Sequence, residues 1–347
     1  MAEQFSLKVT GIREETAHSK TFFLKPVNGK NVPYQAGQFL SFIFHQYGRE
    51  LRRSYSLSSS PNADDELSIT VKLQPNGAVS RWMLHEISNG YLLHALPPSG
   101  MFTIQPQTFI SRDIFLIGAG SGIVPLYSIL KTLLIAEPQS RVVLIYSNHS
   151  QQEAIFYGAL TALQQRYPQQ LHIEFLFSNY QDILKARLSV VSLQALLQQH
   201  LHHQKGDALI YTCGPYYFMQ MVQIVALTNG FAKEHIRKEI FTIGTEAEAS
   251  KQYYDHTDRS ILLQYQGITH ALFVPFNKSI LTAALDAGID LPYSCRGGRC
   301  STCKGRVLQG NVWMHYNEVL TNDDEAKGLV LTCTGHPISN DVVIQVN

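Results

Sequence analysis

The sequence predicts a multi-domain protein with an antiparallel β-barrel, an α/β domain built on a parallel sheet, and a small β-grasp domain of the α+β class. Three observations support this prediction. Short β-rich runs broken by turn residues fill the first hundred residues, and strand-like and helix-like segments then alternate. A predicted hairpin, a short helix and a cysteine-rich loop follow. We expect domains at residues 1–108, 109–244 and 261–347, with a linker at 245–260.

Length and composition narrow the possible functions. A chain of 347 residues suits two or three domains. The formal net charge of +1, with acids and bases interspersed, argues against a nucleic-acid or membrane-surface partner bound by bulk charge. The longest apolar run, Ile114 to Ala136, is interrupted by glycines and Pro125, which indicates a strand, a loop and a helix rather than a membrane span. Because no secretory signal or disulfide framework is visible, we expect a soluble, cytoplasmic protein without membrane insertion.

The first domain is predicted from six β-rich runs and one helical stretch. The helix is expected at Val79–Ile87, because Val79, Met83 and Ile87 fall on one face. Many short strands with a single helix are typical of a closed antiparallel barrel with a capping helix. The strands are expected at Phe5–Val9, Thr21–Leu24, Gln38–Phe44, Arg53–Ser58, Leu67–Leu73 and Tyr91–Ala95.

The second domain is predicted from repeated strand–helix units, which imply a parallel, doubly wound sheet. Such sheets bind ligands beyond the carboxyl ends of their strands. The strands are expected at Ile114–Ile117, Val142–Tyr146, Ile173–Phe177 and Ala208–Thr212, and the helices near Ile123–Ala136, Glu153–Arg166, Leu193–His200 and Tyr217–Thr228.

The third domain follows a polar stretch without periodicity, which indicates a linker. Its signals are a hairpin around a glycine turn, and a helix that ends at Gly288. Together with three later strands they predict a β-grasp sheet. The elements are expected at Ile261–Gln266, Ala271–Pro275, Ile280–Ala287, Lys304–Leu308, Val330–Thr332 and Val342–Val346.

Four cysteines of the third domain predict a metal centre. Cys295, Cys300, Cys303 and Cys333 have the spacing C-x₄-C-x₂-C…C, which is the plant-type pattern for a 2Fe–2S cluster. Glycines in the loop let the main chain wrap tightly enough to present N–H donors around the cluster. The alternatives are a Cys₄ zinc site or buried thiols, but zinc sites usually use two close cysteine pairs and only Cys300 and Cys303 are spaced in that way.

Two glycine-containing segments predict sites for phosphate groups. Gly118, Gly120 and Gly122 follow a predicted strand and precede a helix, where small residues let the main chain approach a pyrophosphate. Their spacing differs from GxGxxG, which makes a generic Rossmann dehydrogenase a poor fit. Gly77 and Ser80 open the single helix of the barrel, where free N–H groups favour an anion. The alternatives are a packing turn and a simple N-cap made by Ser80.

Several motifs of the chain resemble those of the ferredoxin–NADP reductase superfamily, in the branch with a C-terminal plant-type ferredoxin domain. The resemblance covers the whole chain in the order flavin domain, nucleotide domain and ferredoxin domain. It rests on Arg53-Ser-Tyr55-Ser56, Gly77-Ala-Val79-Ser80, Pro98-Ser-Gly100-Met-Phe102, Gly118-Ala-Gly120-Ser121-Gly122-Ile-Val-Pro125, Cys213-Gly214-Pro215, Glu239-Ile-Phe241 and the cysteine loop.

This resemblance implies an NAD(P)H-dependent oxidoreductase that passes electrons through a flavin and a 2Fe–2S cluster to a separate oxygenase. Cys213 would lie beside the nicotinamide, and Glu239 and Phe241 near the reactive face of the flavin. The cofactor-binding residues would be Arg53, Tyr55, Ser56, Gly77, Val79 and Ser80 for the flavin, and Gly118, Gly120, Ser121, Gly122, Gly214 and Pro215 for the nucleotide. The cluster ligands would be Cys295, Cys300, Cys303 and Cys333. Arg296 and Arg299 would be the first charges that a partner meets, unless their loop is only solvated.

Three choices stay open at this point. The flavin is expected to be FAD, but FMN fits if the helix start at Gly77 holds a terminal phosphate, and the protein would then be an FMN-containing reductase of an aromatic-ring dioxygenase or hydroxylase with the same domain order. The donor is NADPH or NADH, because relatives that use NADPH carry arginine where this chain has Ser147-Asn-His149 and Ser178-Asn179, although Arg187 is available. A non-enzymatic iron–sulfur carrier is the alternative from another functional class.

Overall fold

The computed structural model describes residues 4–46, 48–64, 66–182, 186–241 and 256–346. Most of the expected linker, residues 245–255, lies outside these ranges. The first strand after it begins at Arg259, two residues earlier than expected. Within the described ranges, no helix is long and apolar enough to cross a lipid bilayer.

The first domain is an antiparallel barrel, as predicted. Its strands alternate buried apolar and exposed side chains, as in β2 where Phe22 and Leu24 are fully buried. The barrel closes where Leu57 pairs with Ile69, which joins the two outer strands. In sheet order β4-β3-β6-β1-β2-β5, the strands are β1 Phe5–Thr16, β2 Ser19–Pro26, β3 Phe39–Gln46, β4 Arg49–Ser56, β5 Leu67–Lys72 and β6 Leu92–Ala95.

The barrel helix spans Ala78–Glu86, one residue before its expected position. Val79 and Met83 are buried against the barrel core, as their spacing predicts. Ile87 is buried as well, but it is the C-cap in an extended conformation rather than part of the helix.

The second domain is a five-stranded parallel sheet in the order β11-β10-β7-β8-β9. The strands are β7 Asp113–Ala119, β8 Arg141–Asn148, β9 Leu171–Phe177, β10 Leu209–Cys213 and β11 Ile236–Glu239. The last of them is absent from the sequence-based prediction. The helices are Ile123–Ala136, Tyr157–Arg166, Val190–His200 and Tyr216–Thr228. The expected start of the second helix at Glu153 is wrong, because a 3₁₀ turn at Gln151–Glu153 precedes Phe156, whose φ of 64° interrupts the helix.

The third domain has a five-stranded sheet in the order β13-β12-β18-β14-β16, with the helix Ile280–Asp286 packed beside it. Its expected hairpin and strands are present, and the helix ends before Gly288, which has a φ of 78°. A two-stranded sheet, β15 with β17, and the helix Asn322–Ala326 add to the expected elements. The strands are β12 Arg259–Tyr265, β13 Ile268–Val274, β14 Lys304–Gln309, β15 Val312–Met314, β16 Leu329–Leu331, β17 Gly335–Pro337 and β18 Val343–Val346.

The helix Ile123–Ala136 joins the first two domains. The Ser128 hydroxyl donates a hydrogen bond to the carbonyl of Ser59 (2.5 Å), and the Thr132 and Ser60 hydroxyls lie 2.7 Å apart. Both pairs are buried, where a satisfied polar contact fixes one relative orientation better than apolar packing does. The carboxyl edge of the parallel sheet is thereby held against the barrel.

Candidate functional site

The carboxyl edge of the parallel sheet brings three predicted residues side by side. In the parallel registers, Cys213 of β10 is the partner of Gly118 of β7 on one side and of Glu239 of β11 on the other. Neighbouring strands lie about 4.8 Å apart. The site is therefore built by strand pairing, and it lies at the edge where parallel sheets bind ligands.

The three glycines of the loop are required for different reasons: Gly118 and Gly122 by lack of space, and Gly120 by its backbone conformation. A Cβ at Gly122 would lie 2.0 Å from the carbonyl oxygen of Cys213, and a Cβ at Gly118 would lie 2.8 Å from Leu126 Cδ1. Gly120 has a φ of 55°, and a Cβ there would lie 3.8 Å from the Lys72 ammonium. Gly120–Gly122 form a 3₁₀ turn that leads into the helix Ile123–Ala136. The loop therefore presents main chain and a helix N-terminus, which suits a pyrophosphate.

Lys72 is a feature that sequence reasoning missed. It is the last residue of β5 in the barrel, and only the docking of the two domains brings its ammonium to the glycine loop of the sheet domain. A cation at this place adds to the attraction of the helix start for a phosphate. No local motif could have indicated it.

Gly214 and Pro215 extend the same edge. A Cβ at Gly214 would lie 3.1 Å from both Ala119 Cβ and Phe218 Cδ1, which explains glycine there. Pro215 is the N-cap of the helix Tyr216–Thr228, and it is exposed. Two helices therefore begin beside each other at this edge.

Glu239 connects the sheet domain to the barrel. Its buried carboxylate oxygen accepts a hydrogen bond from the Ser56 hydroxyl, at 3.0 Å. Burial raises the pKa of the Glu239 carboxyl to about 8, although the Ser56 hydrogen bond lowers it in part. Burial, and to a lesser degree the nearby Glu239, raise the pKa of the Cys213 thiol well above its usual value. At neutral pH the edge therefore carries a protonated acid and a neutral thiol.

The barrel residues Arg53, Tyr55 and Ser56 lie on β4. The Tyr55 ring is half-buried and packs against Phe42 with the ring centres 6.2 Å apart, and burial raises its pKa to about 12. Arg53 is exposed, and its guanidinium donates to the Arg52 carbonyl at 2.8 Å. Ser56 alone of the three contacts the sheet edge directly, through Glu239.

The helix start at Gly77 differs in detail from the simple N-cap considered above. Gly77 is the N-cap, and no side chain caps the first turn in the described part of the chain. The Ser80 hydroxyl donates to the Gly77 carbonyl (3.1 Å) and accepts from the Gln74 N–H (3.1 Å), and a Cβ at Gly77 would collide with it at 2.6 Å. Ser80 is therefore not the capping residue, and backbone N–H groups rather than its hydroxyl suit an anion. Val79 is buried beneath them.

Phe241 stands apart from this group. It lies two residues beyond the end of β11, and 48% of it is exposed. An exposed aromatic ring at the end of a strand is able to cover the face of a planar ligand.

The four cysteines of the last domain converge. Cys295 contacts both Cys300 and Cys333, and Cys303 contacts Cys333. The same contacts lower the pKa of the Cys295 and Cys303 thiols and raise the pKa of the Cys300 and Cys333 thiols, so that each of the two pairs, Cys295–Cys300 and Cys303–Cys333, combines a thiolate with a thiol. In the described residues, no three Cys, His, Asp or Glu side chains surround a single point that would hold one ion. Paired sulfurs fit a cluster of two irons, since each iron takes two protein ligands.

The backbone of the cysteine loop is shaped around these sulfurs. The Gly297 N–H donates to the Cys295 sulfur at 3.4 Å, and the Cys295 N–H to the Cys300 sulfur at 3.5 Å. Arg296, Gly298 and Ser301 all have positive φ values, of 53°, 71° and 55°. Such conformations cost free energy in residues other than glycine, and they cluster where a ligand needs the main chain folded around it.

The two arginines of this loop differ from the expectation. Arg296 is exposed and stacks over the Tyr293 ring at 4.2 Å. Arg299 is only 8% exposed and donates a hydrogen bond to the Tyr316 hydroxyl at 3.1 Å. The prediction that a partner meets Arg299 on the surface is therefore wrong, as is the alternative of a solvated side chain, because the loop packs against the turn after β15, where the Gly298 carbonyl accepts the Glu318 N–H at 3.1 Å.

Sequence models for known families match the three domains. Residues 7–104 match an oxidoreductase FAD-binding domain, residues 116–224 an oxidoreductase NAD-binding domain, and residues 264–337 a 2Fe-2S iron-sulfur cluster binding domain. FAD, NAD(P)H and a 2Fe–2S cluster are therefore the cofactors of this oxidoreductase.

Relatives match over nearly the full length. A 1,2-phenylacetyl-CoA epoxidase subunit of Escherichia coli (strain K12) is 34% identical over 98% of this chain and 96% of its own. The ferredoxin reductase component of the 3-ketosteroid-9-alpha-monooxygenase of Mycolicibacterium smegmatis is 32% identical over 97% of this chain and 96% of its own.

A solved structure supports the fold. Phthalate dioxygenase reductase superposes with a TM-score of 0.61 at 22% identity, over 99% of this chain and 98% of its own. An intact type IV self-sufficient cytochrome P450 monooxygenase matches with a TM-score of 0.73 at 21% identity, over 99% of this chain and 41% of its own. With its FAD-binding barrel, NAD-binding sheet and paired cysteines, the chain belongs to the ferredoxin–NADP reductase superfamily, in the branch that carries a C-terminal 2Fe–2S ferredoxin domain.

Proposed function

We propose that this protein is the reductase of a phenylacetyl-CoA epoxidase system, and that it transfers electrons from NAD(P)H to the separate oxygenase of that system. The observation that carries the proposal is the 34% identity to the epoxidase subunit of Escherichia coli across 98% of the chain. An electron-transfer role in phenylacetate catabolism follows from it. A steroid monooxygenase is the second candidate partner, because the relative from that system is 32% identical over a similar length.

We assign the predicted site residues to the cofactors as follows. The flavin is held by Arg53, Tyr55, Ser56, Gly77, Val79 and Ser80, and the pyridine nucleotide by Gly118, Gly120, Ser121, Gly122, Gly214 and Pro215. The side chains nearest the exchange of electrons are Cys213, Glu239 and Phe241, and the cluster ligands are Cys295, Cys300, Cys303 and Cys333. We further propose that the protein works in the cytoplasm, since none of its five cysteines forms a disulfide.

In this assignment a bound flavin would supply the exchange between a two-electron donor, NAD(P)H, and a one-electron acceptor, the cluster. The residues of the chain would position the cofactors and provide their electrostatic environment. Because the Cys213 thiol and the Glu239 carboxyl are both neutral at pH 7, these two side chains would place no charge beside a bound nicotinamide. The hydrogen bond between Ser56 and Glu239 holds the barrel against the edge of the parallel sheet. It would thereby fix the distance between the flavin and the pyridine nucleotide.

We propose NADH as the preferred donor. Where the ends of β8 and β9 meet, His149 Nδ1 and Ser178 Oγ lie 3.1 Å apart and share a hydrogen bond. A 2′-phosphate normally requires arginine or lysine at such a place. Arg187 is exposed on the segment after β9, and its removal should leave the use of NADH unchanged.

Anaerobic titration of the purified holoprotein with NADH and with NADPH tests these proposals together. We expect both the flavin and the cluster absorption to bleach, with kcat/KM for cytochrome c reduction at least tenfold higher for NADH. The oxygenase is then tested by adding the epoxidase subunits with phenylacetyl-CoA, or the steroid oxygenase with its ketosteroid. Turnover with the steroid system alone would reject the epoxidase proposal, and extraction of FMN in place of FAD would revise the flavin.

The buried Glu239 should make stability depend on pH. Burial raises the pKa of its carboxyl from 4.5 to about 8 in the folded state. Between these values the folded protein keeps a proton that the unfolded chain has lost, and the stability which this proton contributes falls as pH rises towards 8. Glutamine does not ionise. Between pH 6 and pH 9, Glu239→Gln should therefore gain about 1–3 kcal/mol in the free energy of unfolding relative to the wild type.

Thermal unfolding of the two holoproteins at both pH values measures this gain. Glu234→Gln is the matched control, because Glu234 is an exposed acid of the same domain. It should unfold in parallel with the wild type. Equal pH profiles for the wild type and Glu239→Gln would show that the carboxyl is already ionised at neutral pH.

A further inference from the structure

Strand β4 presents alternate side chains to the two other domains. Residues two apart on a strand point to the same face. Ser56 contacts Glu239 of the nucleotide domain, whereas Ser54 lies 2.6 Å from the Ser294 hydroxyl of the ferredoxin domain. The next residue on this face, Arg52, also reaches the ferredoxin domain. One face of a flavin-domain strand is therefore the meeting place of all three domains.

Arg52 makes the most extensive of these contacts. Its guanidinium lies 3.9 Å from the centre of the Tyr293 ring, donates to the Tyr293 carbonyl at 3.3 Å, and approaches the Asp290 carboxylate at 3.8 Å. Within the barrel, Glu50 accepts from its Nε at 2.7 Å and so orients it. The Arg52 side chain is only 8% exposed. A planar guanidinium is suited to such a site because it stacks and donates in plane at once.

These contacts end beside the cluster. Tyr293 and Ser294 immediately precede Cys295, the first of the four converging cysteines. Arg52 and Ser54 flank Arg53 on a strand that continues to Tyr55. The segment that enters the cysteine loop is therefore tied to the strand that we assign to the flavin.

The rest of this domain contact combines apolar packing with a cavity, since Met101 of the barrel packs against the core of the ferredoxin domain. A cavity of about 350 Å³ lies between the barrel exit, Pro98–Gly100, and the end of the cysteine loop, Ser301–Lys304. The ion pair between Lys238 and Glu318, at 2.8 Å, joins the nucleotide and ferredoxin domains. Arg52 is thus the contact at the entrance of the cysteine loop, whereas the cavity lies at the end of that loop.

We propose that Arg52, supported by Ser54, is a positioning residue that holds the cluster at the flavin domain for electron transfer. The inference rests on the proposed electron path, and it adds that Arg52 sets the distance between the flavin and the cluster. For each NAD(P)H oxidised, two electrons cross this contact one at a time, each reducing the cluster by one electron before it passes to the oxygenase. The hydride that brought them leaves one proton, which is released to solvent. The rate of electron transfer falls steeply as the distance between donor and acceptor grows. A loosened contact at Arg52 should therefore slow the reduction of the cluster but not the reduction of the flavin.

Stopped-flow reduction of the holoprotein by NADH tests the proposal, with the flavin and the cluster followed at separate wavelengths. Arg52→Ala should leave the rate of flavin reduction within twofold of the wild type and lower the rate of cluster reduction at least tenfold. Arg52→Lys should recover part of the rate, because lysine keeps the charge but not the planar stack. The reduction potential and the absorption of the cluster should not change in either variant.

Two further variants provide a control and an independent test of the same contact. Arg166→Ala is the matched control, since Arg166 also lies over a tyrosine, Tyr167 at 5.4 Å, but within one domain. It should have no effect on either rate. Ser54→Ala removes the hydroxyl that contacts Ser294 and, within the barrel, Ser41 at 2.8 Å. It should slow cluster reduction about threefold and provides a second test if Arg52→Ala does not fold.

Each outcome separates this inference from the function on which it rests. A wild-type rate of cluster reduction in both Arg52→Ala and Ser54→Ala would overturn the positioning role. Equal losses in flavin and cluster reduction would also overturn it, because Arg52 would then support the barrel. If the wild type reduces its flavin but never its cluster, the proposed electron path itself fails.

Discussion

Cys300→Ser is expected to abolish the visible absorption of the cluster, and with it at least 99% of the transfer of electrons to cytochrome c. Cys300 is in contact with Cys295, and its sulfur accepts the Cys295 N–H at 3.5 Å. A serine hydroxyl is a poor substitute for a thiolate ligand of iron at neutral pH, and the loop would lose one of its four anchors. Iron content and the visible spectrum measure the loss.

Reduction of the flavin by NADH should persist in this variant, within about twofold of the wild type. The glycine loop and Cys213 belong to the parallel sheet, and the cysteine loop shares no strand with them. The flavin content and the flavin reduction rate of the same preparation are therefore its internal control. If flavin reduction is lost together with the cluster, the domains do not act as separate steps of one path.

Gly122→Ala is expected to destabilise the fold by about 3 kcal/mol and to slow flavin reduction at least 100-fold. The added Cβ would lie 2.0 Å from the Cys213 carbonyl oxygen and 2.9 Å from the Gly214 nitrogen. These are backbone atoms at the end of a buried strand, and the loop or the strand must move to make room. Either movement displaces Cys213 or the helix start at the predicted nucleotide site. Denaturant unfolding and stopped-flow reduction measure the two effects.

Gly158→Ala is the matched control for this substitution. Gly158 lies in the helix Tyr157–Arg166, and a Cβ there has no atom within 4 Å. Alanine in an open helical position should stabilise the protein by about 0.5–1 kcal/mol and leave the reduction rates unchanged. Both variants add one methyl group, and the difference between them isolates the collision. Normal flavin reduction in Gly122→Ala would show that the loop does not need its close contact with Cys213.

The fold class and most strands follow from the sequence because their signals are local. Alternating burial defines the barrel strands, and apolar runs followed by glycine define the strands of the parallel sheet. The signal for the proposed 2Fe–2S site is equally local, since three of the four cysteines assigned to it lie within nine residues. Errors arose where one residue changed the backbone, as at Phe156 with its φ of 64°. The helix Asn322–Ala326 had a readable signal, the capping box of Thr321 and Asp324.

The sequence does not predict which side chains from distant parts of the chain, or from different domains, lie next to each other. The approach of Lys72 to the glycine loop depends on how the barrel docks against the sheet. The burial of Arg299 depends on the turn that carries Tyr316, seventeen positions along the chain. In the same way, β11 is four residues long, and only its pairing with β10 brings Glu239 beside Cys213. Such contacts are set by tertiary packing, and the periodicity of apolar residues along a sequence does not predict them.

The alternation along β4 makes three domains depend on the register of one strand. Arg52 and Ser54 meet the ferredoxin domain, and Ser56 meets the nucleotide domain, all from the same face. Because the period of a strand is two, inserting or deleting one residue before Arg52 would turn this face towards the barrel interior. The part of β4 that precedes Arg52 should therefore tolerate insertions and deletions far less than a strand with one solvent-exposed face normally does. The surfaces of the three domains can vary independently during evolution, but insertions or deletions in β4 keep this face only if they comprise an even number of residues.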